Sequence, residues 1–259
     1  MEASTQAVIE VQGLDIGYDD IPIMKDLNFT VNKGDIFIVM GVSGCGKSTL
    51  LKSMIGLKKP EKGKILFNGK SFWDEGEKEQ LDLMRHFGVL YQSGALWSSL
   101  TVGENVALPL QLYTKLSRQQ IKEMVALKLS LVGLSGHEDL FPSGLSGGMC
   151  KRVSLARAIA LDPGIIFFDE PSAGLDPINS RKLDDLILEL RDGLGTTIVI
   201  VTHELASIFA IGNNSVFLDE ASKTMIAAGD PKSLLANSKD ARVTQFLTRG
   251  SSNNEQKSQ

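Results

Sequence analysis

Short apolar runs alternate with amphipathic stretches along most of the chain. Residues 8–17 and 25–31 alternate apolar and polar positions, which predicts two antiparallel strands around a turn. Asn32-Lys33-Gly34-Asp35 then breaks the pattern before a fully apolar run at 36–40, which predicts a buried strand. Helical spacing follows at 48–55, with short strands at 63–67 and 87–91. From 102 to 134 the period is helical throughout, with Ile121, Val125, Leu129 and Val132 on one face and no intervening strand signal. That block reads as a helical insertion. Beyond it the chain alternates helix 147–161, apolar strand 165–168, helix 179–192 and strand 197–201. Alternation of this kind predicts an α/β fold with a mainly parallel sheet core, to which the early strands add an antiparallel β subdomain and the insertion a helical subdomain.

Composition narrows the function classes. The chain has 259 residues, 42% hydrophobic and 22% charged, which suffices for a packed core and excludes disorder as the dominant state. With 27 Lys and Arg against 31 Asp and Glu, the net charge is −4, so no global basic footprint argues for nucleic acid and none is expected as a partner. The longest apolar runs fall far short of the roughly 20 residues that span a bilayer, and the polar start at 1–6 lacks a signal segment. The expected place is the cytosol, with any membrane role supplied by a partner. We expect one domain over 6–240, its helical subdomain at about 93–162, followed by a C-terminal extension 241–259 whose polar tail from 251 is expected to be disordered.

Two segments carry chemistry. The first, Gly41-Val42-Ser43-Gly44-Cys45-Gly46-Lys47-Ser48-Thr49, fits the phosphate-loop pattern G-x-x-x-x-G-K-[ST] between an expected strand and an expected helix. There, backbone N–H groups and the positive helix end converge on phosphates, Lys47 reaches the β- and γ-phosphates, and the Ser48 hydroxyl coordinates Mg²⁺. The second is the apolar strand 165–168 ending in Asp169-Glu170. Successive strand residues point to opposite faces, so the two carboxylates can serve different tasks: Asp169 holds Mg²⁺ and Glu170 polarises the attacking water.

Leu145-Ser146-Gly147-Gly148-Met149 opens a second helix with an anion-binding character. Together with Gln92, Ser172-Ala173-Gly174-Leu175-Asp176 and His203, it resembles the motif set of ABC-transporter ATPases, in family order, over about residues 8–235. Met149 stands where the family commonly has Gln. The resemblance implies a P-loop NTPase of ABC type, a homodimer in which ATP is sandwiched between the phosphate loop of one subunit and the signature segment of the other. It further implies that Tyr18 stacks on adenine, that Gln92 binds Mg²⁺ and senses the transport partner, and that His203 contacts the γ-phosphate. Asp176 would couple the two sites, and Ser146, Gly147 and Gly148 would cradle the neighbour's γ-phosphate. Tyr18, following a strand, also fits simple packing.

A chain with one nucleotide set and no spanning segment implies a separate permease, and in this family it docks on the helical block after Gln92. Segment 93–102 brings apolar residues into a Gly/Ser-rich connection suited to lining such a groove, while Trp97 fits either groove or core. The words at 96–102 and 104–107, and the end at 238–247, resemble the lipid-transporting Mla/Mce branch. That implies a complex at the cytoplasmic face of a bacterial inner membrane that moves phospholipids between inner and outer membranes. Its other members would be an MlaE-like permease, an MlaD-like periplasmic lipid-binding subunit and an MlaB-like STAS protein. An ATPase of an amino-acid or other small-solute importer is the alternative, followed by a soluble ABC ATPase of DNA repair or translation. Two questions stay open at this level. Val243, Phe246 and Leu247 recur at helical spacing and serve either a self-packed helix or a clasp on the neighbouring subunit. Cys45 and Cys150 are either small residues that fit or a thiol pair brought together across the dimer.

Overall fold

The computed structural model describes residues 6–19 and 21–248. The polar start at 1–5 and the tail from 251, expected to be disordered, lie outside the described residues. The first half of the chain runs β1 (Ala7–Tyr18), β2 (Ile21–Asn32), β3 (Ile36–Gly41), α1 (Lys47–Met54), β4 (Lys62–Phe67), β5 (Lys70–Ser71), α2 (Glu77–Met84), β6 (Phe87–Leu90), α3 (Val102–Tyr113) and α4 (Arg118–Leu131). The second half continues α5 (Gly147–Ala158), β7 (Ile165–Asp169), α6 (Pro177–Leu194), β8 (Thr197–Val201), α7 (Leu205–Ile211), β9 (Asn214–Asp219), β10 (Thr224–Ala228), α8 (Pro231–Asn237) and α9 (Ala241–Thr248). The chain forms two compact units: the described parts of Met1–Gln80 and Thr197–Gln259, and Leu81–Thr196.

In the first unit, β1 and β2 pair antiparallel, and β4 and β5 extend them in the order β2-β1-β4-β5. This is the antiparallel layer expected from the alternation at 8–31. The other sheet of this unit places β3 in parallel register between β8 and β9, as in Ile38↔Ile200 and Ile38↔Ser215, with β10 antiparallel on β9. Every residue of β3 and β8 is buried, which explains why both read as continuous apolar runs rather than alternating ones. Phe29 of β2 stacks on Phe37 of β3 at 5.2 Å between ring centroids, joining the two sheets of the unit. Lys25 N donates to Lys223 O at 2.7 Å and fixes β2 against the β9–β10 turn.

The terminal helix closes this unit from within the chain. Val243, Phe246 and Leu247 of α9 are buried, and the Phe246 ring meets Phe217 of β9 edge to face at 5.1 Å. These three residues therefore take the self-packed role, and the clasp cannot use them. Arg242 anchors the helix start, its guanidinium donating to Asp219 at 2.7 Å and to Asp240 at 2.6 Å.

In the second unit β6 and β7 pair in parallel, with Phe87 and Phe167 edge to face at 5.5 Å. The helical insertion is present as α3 and α4, each opened by a capping box, Thr101 with Glu104 and Ser117 with Gln120. The signature helix is shorter than expected: α5 ends at Ala158, before a turn that carries Asp162 at φ 50°. This unit contains the span expected to be helical, 93–162, and adds β6, β7 and α6 to it.

Candidate functional site

Within the first unit the phosphate loop joins β3 to α1. Gly46 precedes the helix at φ 99°, and a Cβ there would lie 2.6 Å from Ile23 Cγ2, so both backbone and space demand glycine. The α1 N-terminus has no side-chain cap and no acidic residue in its first turn. A helix start left this way presents its positive end to an external anion. Lys47 is only 7% exposed, and its Nζ donates to Gly41 O and Val42 O, each at 3.0 Å. The ammonium thus spans the loop whose amides would receive phosphates. Ser43, Gly44 and Ser48 are exposed along the same loop, and Thr49 is half-buried.

Cys45, inside the loop, is buried, and burial pushes its thiol pKa up against the opposing charge of Lys47. Burial also raises Cys150, which is half-buried with Sγ 3.8 Å from Pro142 O. Neither thiol is activated, and a bond through Cys45 would require the loop to open, so the pair reads as small residues that fit. Tyr18 is 44% exposed and Lys58 Nζ sits 4.3 Å from its ring centroid. One ring face is therefore engaged by a cation rather than by core packing. His203 is exposed just past β8, in a turn held by Thr202 Oγ1, which accepts from Glu204 N at 3.1 Å.

Within the second unit, Gln92 and Asp169 line one cavity of about 530 Å³ together with Tyr91, Ser93, Ala173 and Gly174. Asp169 ends the buried strand β7, and Glu170 follows it at φ 46°, in the left-handed region, where its carbonyl accepts from Ala173 N at 3.1 Å. A left-handed glutamate is a costly conformation that turns its side chain away from the strand repeat. Among the described residues no three His, Cys, Asp or Glu side chains group around a metal position. Mg²⁺ prefers one or two protein carboxylates with substrate phosphates and water, and Asp169 beside the Gln92 amide is a donor set of that kind.

The signature segment opens α5 with Ser146 as N-cap, its Oγ accepting from Met149 N at 3.3 Å. Ser146 and Gly147 are exposed and no neighbour lies within 4 Å of a Cβ built on Gly147. Asp176 is occupied locally: it caps α6 by accepting from Ile178 N and Asn179 N, both at 3.0 Å. Hydrogen bonds from Asn179 above all, and from Ile178, hold its carboxyl below the ordinary range. A second cavity of about 430 Å³ lies over Tyr91, Ala95, Tyr113, Phe87 and Arg157. Ala95 supplies the expected groove segment there, whereas Trp97 is 60% exposed and so is not core.

A family model described as an ABC transporter matches residues 24–173. The chain belongs to the ABC transporter family. It is an ATPase of that type. Among relatives of this ABC subunit, the intermembrane phospholipid transport system ATP-binding protein MlaF of Haemophilus influenzae is 42% identical over 93% of this chain and 90% of its own. MlaF of Escherichia coli K12 is 39% identical over 95% and 91%. A probable ribonucleotide transport ATP-binding protein, mkl of Mycobacterium tuberculosis, is 41% identical over 92% of this chain and 66% of its own. Among solved structures, cbiO1 of Clostridium perfringens, part of an ABC transporter complex, matches with TM-score 0.82 and 28% identity over 97% of this chain and 99% of that one. The ATP-binding cassette MJ0796, a dimer bound to ADP and Pi, matches with TM-score 0.77 and 28% identity over 86% and 98%.

Sequence reasoning passed over the cations that support these motifs. Lys151 and Arg157 on α5 and Lys58 beside Tyr18 match no motif, and nothing in the sequence marks what they reach. Lys151 and Arg157 stand six residues apart on a helix that already carries a motif at its start.

Proposed function

We propose that this chain is the ATP-hydrolysing subunit of a bacterial inner-membrane transporter that moves phospholipids between the inner and outer membranes and thereby maintains outer-membrane lipid asymmetry. The observation that carries this reading is identity of 42% and 39% to two MlaF proteins over at least nine-tenths of both chains. The uncapped α1 start, with Lys47 spanning the loop, supports triphosphate binding there. The chain would sit peripherally at the cytoplasmic face as a homodimer. It would act with an MlaE-like permease, an MlaD-like periplasmic lipid-binding subunit and an MlaB-like STAS subunit. The permease would dock over the cavity lined by Tyr91, Ala95 and Tyr113.

The site residues divide by chemistry. Amides of Gly41, Ser43, Gly44, Cys45 and Gly46 and the Lys47 ammonium neutralise phosphate charge, and Thr49 supports the helix start. Ser48, Gln92 and Asp169 would hold Mg²⁺, which would supply charge neutralisation at the phosphates. Glu170 orients the attacking water and accepts its proton, and His203 contacts the γ-phosphate. Tyr18 stacks on adenine with the face Lys58 leaves free. Ser146, Gly147 and Gly148 serve the neighbour's γ-phosphate, and Asp176 acts from the cap of α6.

Replacement of the water-orienting carboxylate tests the assignment. E170Q is expected to lower turnover by at least about 100-fold while ATP-dependent dimers accumulate. Unchanged turnover would remove Glu170 from this role. The relative named for ribonucleotide transport, at 41% identity, favours a second reading, transport of a polar solute. Lipids identified in the purified membrane complex decide: bound phospholipid supports the first reading, a lipid-free permease that moves nucleotides or another small solute the second.

A further inference from the structure

The signature helix does more than present its N-terminus. Lys151, Ser154 and Arg157 recur every three residues on α5 and so share one face. Lys151 Nζ donates to Gln92 O, and Arg157 donates from Nη1 to Ala95 O and from Nη2 to Gly94 O, each at 2.8 Å. Between these two grips the loop turns through Gly94 at φ 78° and Ala95 at φ 49°, and a Cβ on Gly94 would lie 2.6 Å from Ser154 Oγ. The loop carrying Gln92 is therefore held through its backbone carbonyls by side chains of the signature helix, with no room for slack at Gly94.

Lys151 is the costlier of the two cations. It is only 6% exposed, and burial lowers its pKa, while the charges of Asp169 and Glu170 act in the opposite direction. An ammonium taken out of water is kept charged only by groups that use the charge. Here the group that receives the ammonium is the Gln92 carbonyl. No motif accounts for this lysine, and a neutral side chain of similar length would fill the space without the desolvation cost.

We propose that Lys151 is a positioning residue for Gln92, fixing through one buried ammonium the backbone of the Gln92 loop against the signature helix. The inference rests on the assignment of Gln92 as a Mg²⁺ ligand, and it makes Lys151 the group that holds the Gln92 backbone in place. Residues that orient metal ligands from behind typically change metal affinity or activity by about 10–100-fold when removed.

The test uses the full chain with K151M and K151R. Amide hydrogen exchange over residues 91–97 is expected to quicken about tenfold in K151M and to stay within about threefold of wild type in K151R, with residues 153–158 of α5 unchanged in both. The Mg²⁺ concentration for half-maximal ATP hydrolysis is expected to rise about tenfold in K151M and to recover in K151R, while binding of a fluorescent ATP analogue without Mg²⁺ stays as in wild type. Quickened exchange along all of α5 would mean a merely structural lysine and overturn the proposal. So would a wild-type Mg²⁺ requirement in K151M. A wild-type chain that binds no ATP analogue would sink the nucleotide reading itself, and the exchange measurement would still decide whether Lys151 holds the loop. K151Q, a milder neutral replacement, is expected to move both readouts the same way and carries the test should K151M not fold.

Discussion

A single residue decides how the phosphate loop meets its helix. Gly46 combines a left-handed backbone, φ 99°, with a Cβ position 2.6 Å from Ile23, so any side chain forces both strain and displacement. A left-handed L-residue alone costs roughly 1–2 kcal/mol. Replacing Gly46 with Ala is therefore expected to weaken ATP-analogue binding by about tenfold or more, read by fluorescence titration, with a small loss of melting temperature. The loop glycines and Lys47 were legible in the sequence because spacing alone encodes them. Lys151 was not, because nothing about a lysine in sequence announces that it is buried, and only the fold shows that its ammonium reaches Gln92 O. Asp176 shows the same limit from the other side: its motif in the sequence does not announce that its oxygens cap the start of α6.

At the scale of elements, continuous apolar runs located β3, β7 and β8 because all three are buried almost throughout. The strands β9 and β10 escape the reading, since β9 mixes Asn214, Ser215 and Asp219 with its apolar residues and gains its place through parallel pairing with β3 and antiparallel pairing with β10. Helix α9 was expected from periodicity, but what it packs on was not. Its Phe246 is 5% exposed against Phe217, and F246A is expected to lower unfolding free energy by about 3–5 kcal/mol, measured in denaturant. The hydrogen bonds from Arg242 hold Asp240 at about 2, against an ordinary 3.8. A depressed folded-state pKa contributes stability above the unfolded value that is lost as pH falls through the folded one. Wild type is therefore expected to melt above D240N from neutral pH down to about 4, with the two converging toward about pH 2. A melting difference independent of pH over that window would contradict the ion-pair account.

For the whole molecule, membership of the ABC transporter family joins the local chemistry to work done elsewhere. Among the described residues no helix is long and apolar enough to cross a membrane. The proposed reading assigns the membrane-crossing step to a permease. Fold class was readable because alternation of strand and helix is a property of the sequence. The substrate was readable only through resemblance, because residues that handle phosphates carry no record of the cargo. The central claim is that triphosphate held at Lys47 drives phospholipid movement. Its most direct test places the complete complex, purified with its membrane partner, in phospholipid vesicles and follows a labelled phospholipid on addition of MgATP. Lipid movement that depends on MgATP and disappears with K47A is the predicted result. Movement at the wild-type rate with K47A, or ATP hydrolysis that carries a polar solute and no lipid, would contradict it.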